Sequence, residues 1–224
     1  MSESLVFHEA QRDLRSFTAD IEKRVLRWLA ARMPAGVNSD HLTGLGFAAM
    51  LAGGAAYAIS GTNLGWLHVV NLLLLANWFG DSLDGTLARY RNRQRPRYGF
   101  YVDHLVDALG FLALLTGLAL SGHLSVAVAV GLVVAYYLVS IHVYLSTYAL
   151  GVFRIAYGRV GGTELRILLA ATNLAVLRWP TLQLAGFEVR LFDLCGSLAL
   201  AGLVATLLTA TLSSVRRLYE MERI

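Results

Sequence analysis

Asp81, Asp84, Asp103 and Asp107 lie inside two of the most apolar stretches of the chain. The first pair stands in Asp81-Ser-Leu-Asp84-Gly85-Thr-Leu-Ala88-Arg89. The second stands in Gly99-Phe-Tyr-Val-Asp103-His-Leu-Val-Asp107. A carboxylate near the middle of a membrane helix costs roughly 2.5–3.5 kcal/mol on insertion scales. These four demand a compensating partner. Ionised carboxylates only accept hydrogen bonds, so they relieve one another only by sharing protons or holding cations. An all-oxygen cluster suits hard divalent ions, and a pair of such ions can clamp a phosphoryl group. The four aspartates therefore read as a metal site at the edge of a bilayer.

The residues between them fit that chemistry. Spacings of three and four put each pair on one helix face. The short connection predicts two antiparallel neighbouring helices, with the acids toward the ends that the connection joins. Gly85 clears backbone beside the acids for a substrate, although close helix packing is its usual role in a membrane helix. Ala88 is nearly as small, one turn on. Arg89 offers a planar fork suited to phosphate. Gly99 opens the next segment, where a turn residue is equally expected.

The elements that must hold these groups are apolar. Of 224 residues, 56% are hydrophobic and 15% charged, with a mean hydropathy of +0.56. That composition argues against a soluble domain. Cys195 is the single cysteine, so no intramolecular disulfide can form. The N-terminus lacks the basic-then-apolar layout of a cleaved signal peptide, and insertion is expected through the first internal span. Residues 9–32 read as an amphipathic helix. Leu14, Phe17, Ile21, Val25, Leu26 and Leu29 recur at helical spacing among Lys23, Arg24, Arg27 and Arg32. Such a helix lies on anionic headgroups or docks on the protein's own cytoplasmic face. Pro34 and Gly36 end it.

Apolar segments follow at about 42–60, 66–90, 100–121, 124–150, 162–178 and 190–214. The expected fold is an all-α integral membrane protein, six transmembrane helices preceded by an N-terminal interfacial amphipathic helix. The expected division is 1–36 for that helix and 37–224 for the membrane domain. Arginine fills every second position from Arg89 to Arg97, and Arg154, Arg159, Arg166, Arg216, Arg217 and Arg223 follow. The loops near 61–65 and 121–124 carry no lysine or arginine. The positive-inside rule puts both termini and the 91–98 loop in the cytoplasm, with Arg178 and Arg190 as outer exceptions. The active site then faces the cytoplasm, from the inner membrane if the source is bacterial. No nucleic-acid partner is expected.

The complete spacing, Asp-x2-Asp-Gly-x2-Ala-Arg-x9-Gly-x3-Asp-x3-Asp over residues 81–107, resembles the signature of the CDP-alcohol phosphotransferase family. All eight defining positions are filled. The resemblance implies an interfacial helix, six transmembrane helices and a homodimer. It implies an enzyme of phospholipid biosynthesis that transfers a phosphate-linked alcohol from a CDP carrier to a second alcohol and releases CMP. By that resemblance, Asp81, Asp84, Asp103 and Asp107 hold two divalent cations, Mg2+ or Mn2+. Gly85, Ala88 and Gly99 admit the CDP moiety, to which Asp84 also contributes. Arg89 contacts its phosphates, and Asp107 is also the general base. Many members carry Pro-Asn-x-Leu-Thr at the first span. Here Ser39-Asp40-His41-Leu42-Thr43 matches at Leu42 and Thr43. Thr43 is a candidate nucleotide contact, and Asp40 a candidate N-cap.

The substrates stay open. Asp103-His104-x-x-Asp107, Tyr144-Leu-Ser-Thr147 and Gly161-Gly162-Thr163-Glu164 resemble the choline and ethanolamine branch, with Gly162 where proline is usual. His104 and Glu164 are the acceptor-side candidates, and His142 is a candidate cavity-lining group. One pairing uses CDP-diacylglycerol and a small polar alcohol, and this fits the compact chain. A phosphorylated acceptor would need cationic residues in the cavity, and Arg154, Arg159 and Arg166 are placed where these could lie, although positive-inside topology explains them equally well. The other uses a CDP-aminoalcohol and diacylglycerol. A distant alternative is a divalent-cation transporter, which would spread its acids toward both membrane faces.

Overall fold

The computed structural model describes residues 19–150, 162–184 and 186–223. Its elements run α1 (Ala19–Arg32), α2 (Ser39–Ser60), α3 (Trp66–Tyr90), α4 (Pro96–Leu120), α5 (Val126–Leu150), α6 (Gly162–Val176), β1 (Thr181–Leu184), β2 (Phe187–Arg190) and α7 (Leu191–Met221). Leu14, Phe17, Arg154, Arg159 and Gly161 lie outside the described residues.

Local chemistry sets the helix ends. Asn38, not Asp40, caps α2: its side chain accepts the His41 N–H at 3.0 Å, and the His41 ring accepts the Asn38 N–H at 3.4 Å. Asp40 pairs instead with Arg95 across the α3–α4 connection. Asn92 at φ 54° stops α3 just beyond Arg89, and the Arg93 N–H reaches back to the Ala88 carbonyl at 2.9 Å. Asparagine tolerates this left-handed cap. Pro96 opens α4 in its first turn, where the missing N–H costs nothing.

α2 is the centre of the packing and contacts both α3 and α4. Its glycine seams explain why. A Cβ on Gly80 would lie 2.5 Å from the Leu42 carbonyl oxygen and 2.6 Å from the Gly46 nitrogen. Gly117 of α4 meets Gly54 of α2 in the same way. Small residues let membrane helices approach to backbone contact. The short loop led us to expect α3 and α4 as direct neighbours, but they pack chiefly through α2. The two carboxylate pairs are therefore held on helices joined through a third.

Tyr57, Leu67, Val70, Leu114, Leu132, Val176 and Phe192 belong to one core that runs from α2 to α7. A buried polar chain crosses it. The Tyr57 hydroxyl donates to Asn173 Oδ1 at 2.7 Å, and Asn173 Nδ2 donates to Asn71 Oδ1 at 2.7 Å. Leu26 and Ala30 of α1 join a second cluster with Leu42, Leu83 and Leu87. Arg91 clamps the end of α1 by donating to the carbonyls of Met33 and Pro34, each at 2.9 Å, and to that of Val37. α1 is thus docked on the protein by one stripe. Ile21, Val25 and Trp28, on another stripe, are exposed.

Among the described residues, α2, α4, α5 and α7 are long and apolar enough to cross a membrane, four helices where six spans were expected. The chain is a helical, multi-pass membrane protein. Polar His68, Asn71, Asn77, Asp81 and Asp84 interrupt α3. α6 has 15 described residues, short of the ~20 that a straight span needs. The antiparallel hairpin β1–β2 pairs Thr181 with Arg190 and Leu184 with Phe187. The segment pattern did not reveal it, because four-residue strands leave little periodicity to read. Gly186, at φ 86°, permits its turn.

Candidate active site

Asp81 and Asp84 stand on α3, about three and two turns before its C-cap at Arg91, with Gly80 pressed against α2 directly before them. Asp84 is buried. Its Oδ2 accepts the Thr43 hydroxyl at 2.6 Å, and its Oδ1 accepts the Gly85 N–H. Thr43, the candidate nucleotide contact, is thus tied to Asp84. Asp81 accepts Arg166 Nη2 at 2.6 Å through Oδ2. Arg166 Nε also donates to Asn77 Oδ1 at 2.7 Å, and Asn77 Nδ2 donates to the Gly46 carbonyl at 3.0 Å. α2, α3 and α6 thus meet beside Asp81.

Asp103 and Asp107 stand on the first half of α4. Asp107 feels the charges of Asp81, Asp103, Asp84 and Arg166 together, and Asp84 feels those of Asp103 and Asp81. The four carboxylates form one electrostatic neighbourhood. Among the described residues, no group of three or more acidic, histidine or cysteine side chains closes into a metal shell. Arg166 engages Asp81, and Thr43 engages Asp84. The donors are nonetheless all hard oxygens, the set that suits a divalent cation.

The smaller signature residues leave room. A Cβ on Gly99 would meet nothing within 4 Å. A Cβ on Gly85 would first meet Arg89 Nη1 at 3.4 Å, an ordinary van der Waals contact, so the guanidinium lies beside this stretch of backbone. Arg89 Nη2 also reaches the Thr86 hydroxyl at 3.3 Å. Ala88 lines a cleft of about 390 Å³ with Asn38, Asp40, Arg93 and Arg95.

The acceptor-side candidates differ in position. His104 Nδ1 lies 2.6 Å from the Phe100 carbonyl, and its ring centroid is 5.4 Å from that of Tyr144. Tyr136 and Tyr144 of α5 stand within electrostatic reach of Asp107. Glu164 is partly buried in the first turn of α6, two residues before Arg166. His142 instead faces α7, with its Nδ1 3.4 Å from the Thr211 hydroxyl.

Sequence reasoning left Arg166 between the positive-inside bias and a basic pocket for a phosphorylated acceptor, and passed over Asn77. The available signal was polarity out of place: an arginine within an apolar segment, and an asparagine one turn before Asp81. A search of curated proteins finds no match to the chain. The sequence model of CDP-alcohol phosphatidyltransferases matches residues 38–211, from the α2 cap into α7. The chain therefore belongs to the CDP-alcohol phosphatidyltransferase family and is a transferase of substituted phosphate groups, acting on a CDP-linked alcohol and an alcohol acceptor.

Proposed function

We propose that this enzyme moves the phosphate-linked alcohol of a CDP carrier, CDP-diacylglycerol in the preferred pairing, onto a small polar alcohol. The observation that carries this reading is that two of the four signature carboxylates are held in place, Asp81 by Arg166 at 2.6 Å and Asp84 by Thr43 at 2.6 Å. Asp107 accepts the acceptor hydroxyl's proton, since an alcohol that ionises far above neutral pH needs a base. The acceptor oxygen then bonds to the phosphorus that bears the alcohol. The bridging P–O bond of the pyrophosphate breaks, and CMP leaves with its electron pair. Arg89 holds the phosphates by its fork. Gly85, Ala88 and Gly99 leave the space that the CDP moiety needs.

Asp81, Asp84, Asp103 and Asp107 would hold two divalent cations, Mg2+ or Mn2+. When bound, these would neutralise pyrophosphate charge and stabilise the leaving group. α3 and α6 complete six membrane-crossing helices in this reading, and α1 lies on the lipid surface by Ile21, Val25 and Trp28. The site faces the cytoplasm, and the chain pairs as a homodimer. His104 and Glu164 stand on the acceptor side. The ring contact of His104 with Tyr144 favours a second reading, CDP-aminoalcohol transfer to diacylglycerol, because both residues match that branch.

The test is turnover by purified protein in nanodiscs against a panel of CDP carriers and alcohols. CMP release is expected with Mg2+ or Mn2+ and is lost in excess chelator. The labelled lipid product identifies the carried group. No CMP from any CDP carrier with either ion would sink the transfer reading. Undiminished release in chelator would sink the metal requirement.

A further inference from the structure

Glu22 of α1 is a convergence point that the reaction as described does not use. Its Oε1 accepts the Thr163 hydroxyl at 2.7 Å, the Trp78 indole N–H at 2.8 Å and the Ser82 hydroxyl at 3.2 Å. Those donors come from α3 and from the first turn of α6. A carboxylate is an acceptor-only group, and bonds to an ionised acceptor are the stronger kind. Docking α1 does not require this charge, because Leu26, Ala30 and the Arg91 clamp already seat the helix.

Two of the three donors adjoin the acidic site. Ser82 follows Asp81 directly. Thr163 lies three residues before Arg166, the partner of Asp81. The α3–α6 joint thus has two successive ties. Glu22 bridges Trp78 and Ser82 to Thr163, and Arg166 bridges Asn77 and Asp81. Releasing the first tie frees the start of α6 and, with it, the angle at which Arg166 meets Asp81.

We propose that Glu22 is a positioning residue for the acidic site, setting Asp81 and Arg166 from the membrane-surface helix through Ser82 and Thr163. The inference rests on the metal-dependent transfer reading above. The geometry couples α1 to the reacting end of α3 without placing any α1 side chain in the site.

The test compares wild type, Glu22→Ala, Glu22→Gln and Asp20→Ala, the last an exposed acid on the same helix. Mn2+ binding is read by electron paramagnetic resonance, and kcat by CMP release from CDP-diacylglycerol. Glu22→Ala should weaken Mn2+ roughly 10- to 100-fold, the usual cost of losing a group behind a metal ligand, and lower kcat. Glu22→Gln keeps a carbonyl acceptor and should recover most of both. Asp20→Ala should match wild type. A Glu22→Ala protein with a lowered melting temperature but wild-type Mn2+ affinity and kcat overturns the proposal. Wild type that binds Mn2+ but releases no CMP defeats the transfer reading, and the resonance arm still decides on Glu22. Wild type that releases CMP without binding Mn2+ defeats the metal reading, and kcat then decides. Wild type that does neither overturns both.

Discussion

At the scale of residues, the aspartates are alike in type and unlike in surroundings. Asp84 is fastened by Thr43 and the Gly85 N–H, and Asp81 is paired with Arg166. Asp107 lies where all these charges sum. That division argues for separate roles. Asp107→Asn keeps an oxygen but no longer accepts a proton. Turnover should fall by roughly 10²- to 10⁴-fold, the range for loss of a general base. Affinity for the CDP carrier should survive better than in Asp81→Asn. Carrier binding and single-turnover rates for both variants check this. If Asp107→Asn loses the carrier as completely as Asp81→Asn, Asp107 is a holder of metal and not the base. The two effects will not sum, because the carboxylates share one field.

At the scale of elements, glycines do two different jobs that sequence alone does not separate. Gly80 abuts the backbone of α2, which has no flexible atoms to yield. Gly80→Val should force α2 and α3 apart, displace Asp81 and destabilise the fold by about 1–3 kcal/mol, the usual cost of overpacking. Gly99 faces open space. Gly99→Ala should leave the melting temperature unchanged and weaken the CDP carrier. Thermal unfolding in detergent, paired with carrier titration, separates the two. Equal melting temperatures for Gly80→Val and wild type would mean that the α2–α3 seam is wider than the structure has it.

At the scale of the whole molecule, the end of α4 away from the aspartates carries a pH-sensitive joint. His123, in the loop between α4 and α5, stacks against Phe192 at 6.2 Å, and its buried Nε2 has no hydrogen-bond partner among the described residues. Burial holds its pKa below the ordinary histidine value, and the charge of Arg190 adds to this against a raising hydrogen bond with the Ser60 backbone. The folded state therefore binds this proton less readily than the unfolded chain. Stability contributed here is full above the unfolded pKa of about 6.5 and falls as pH drops below it. The melting temperature of wild type should decline between about pH 7 and pH 5.5. His123→Gln should flatten part of that decline. Identical slopes for the two proteins would remove His123 from the account.

Much of this protein is legible along the chain because the relevant physics is local. Helical period and apolar run length located α2 to α6 and the start of α7 within a few residues, while α7 runs seven residues past the expected end at 214, and covalent spacing exposed the two aspartate pairs with Gly85, Ala88, Arg89 and Gly99 between and after them. What tertiary structure decided concerns partners far apart in sequence. Arg166 lies 85 residues from Asp81, and Glu22 lies 141 from Thr163. Asp40 could have capped α2, but Asn38 did so and left Asp40 to Arg95. α3 and α4 are adjacent in sequence, yet the glycine seams of Gly46 and Gly54 drew both onto α2. Spacing reports which residues share a face. Only packing decides what that face meets, because close approach depends on the missing side chains of both partners at once.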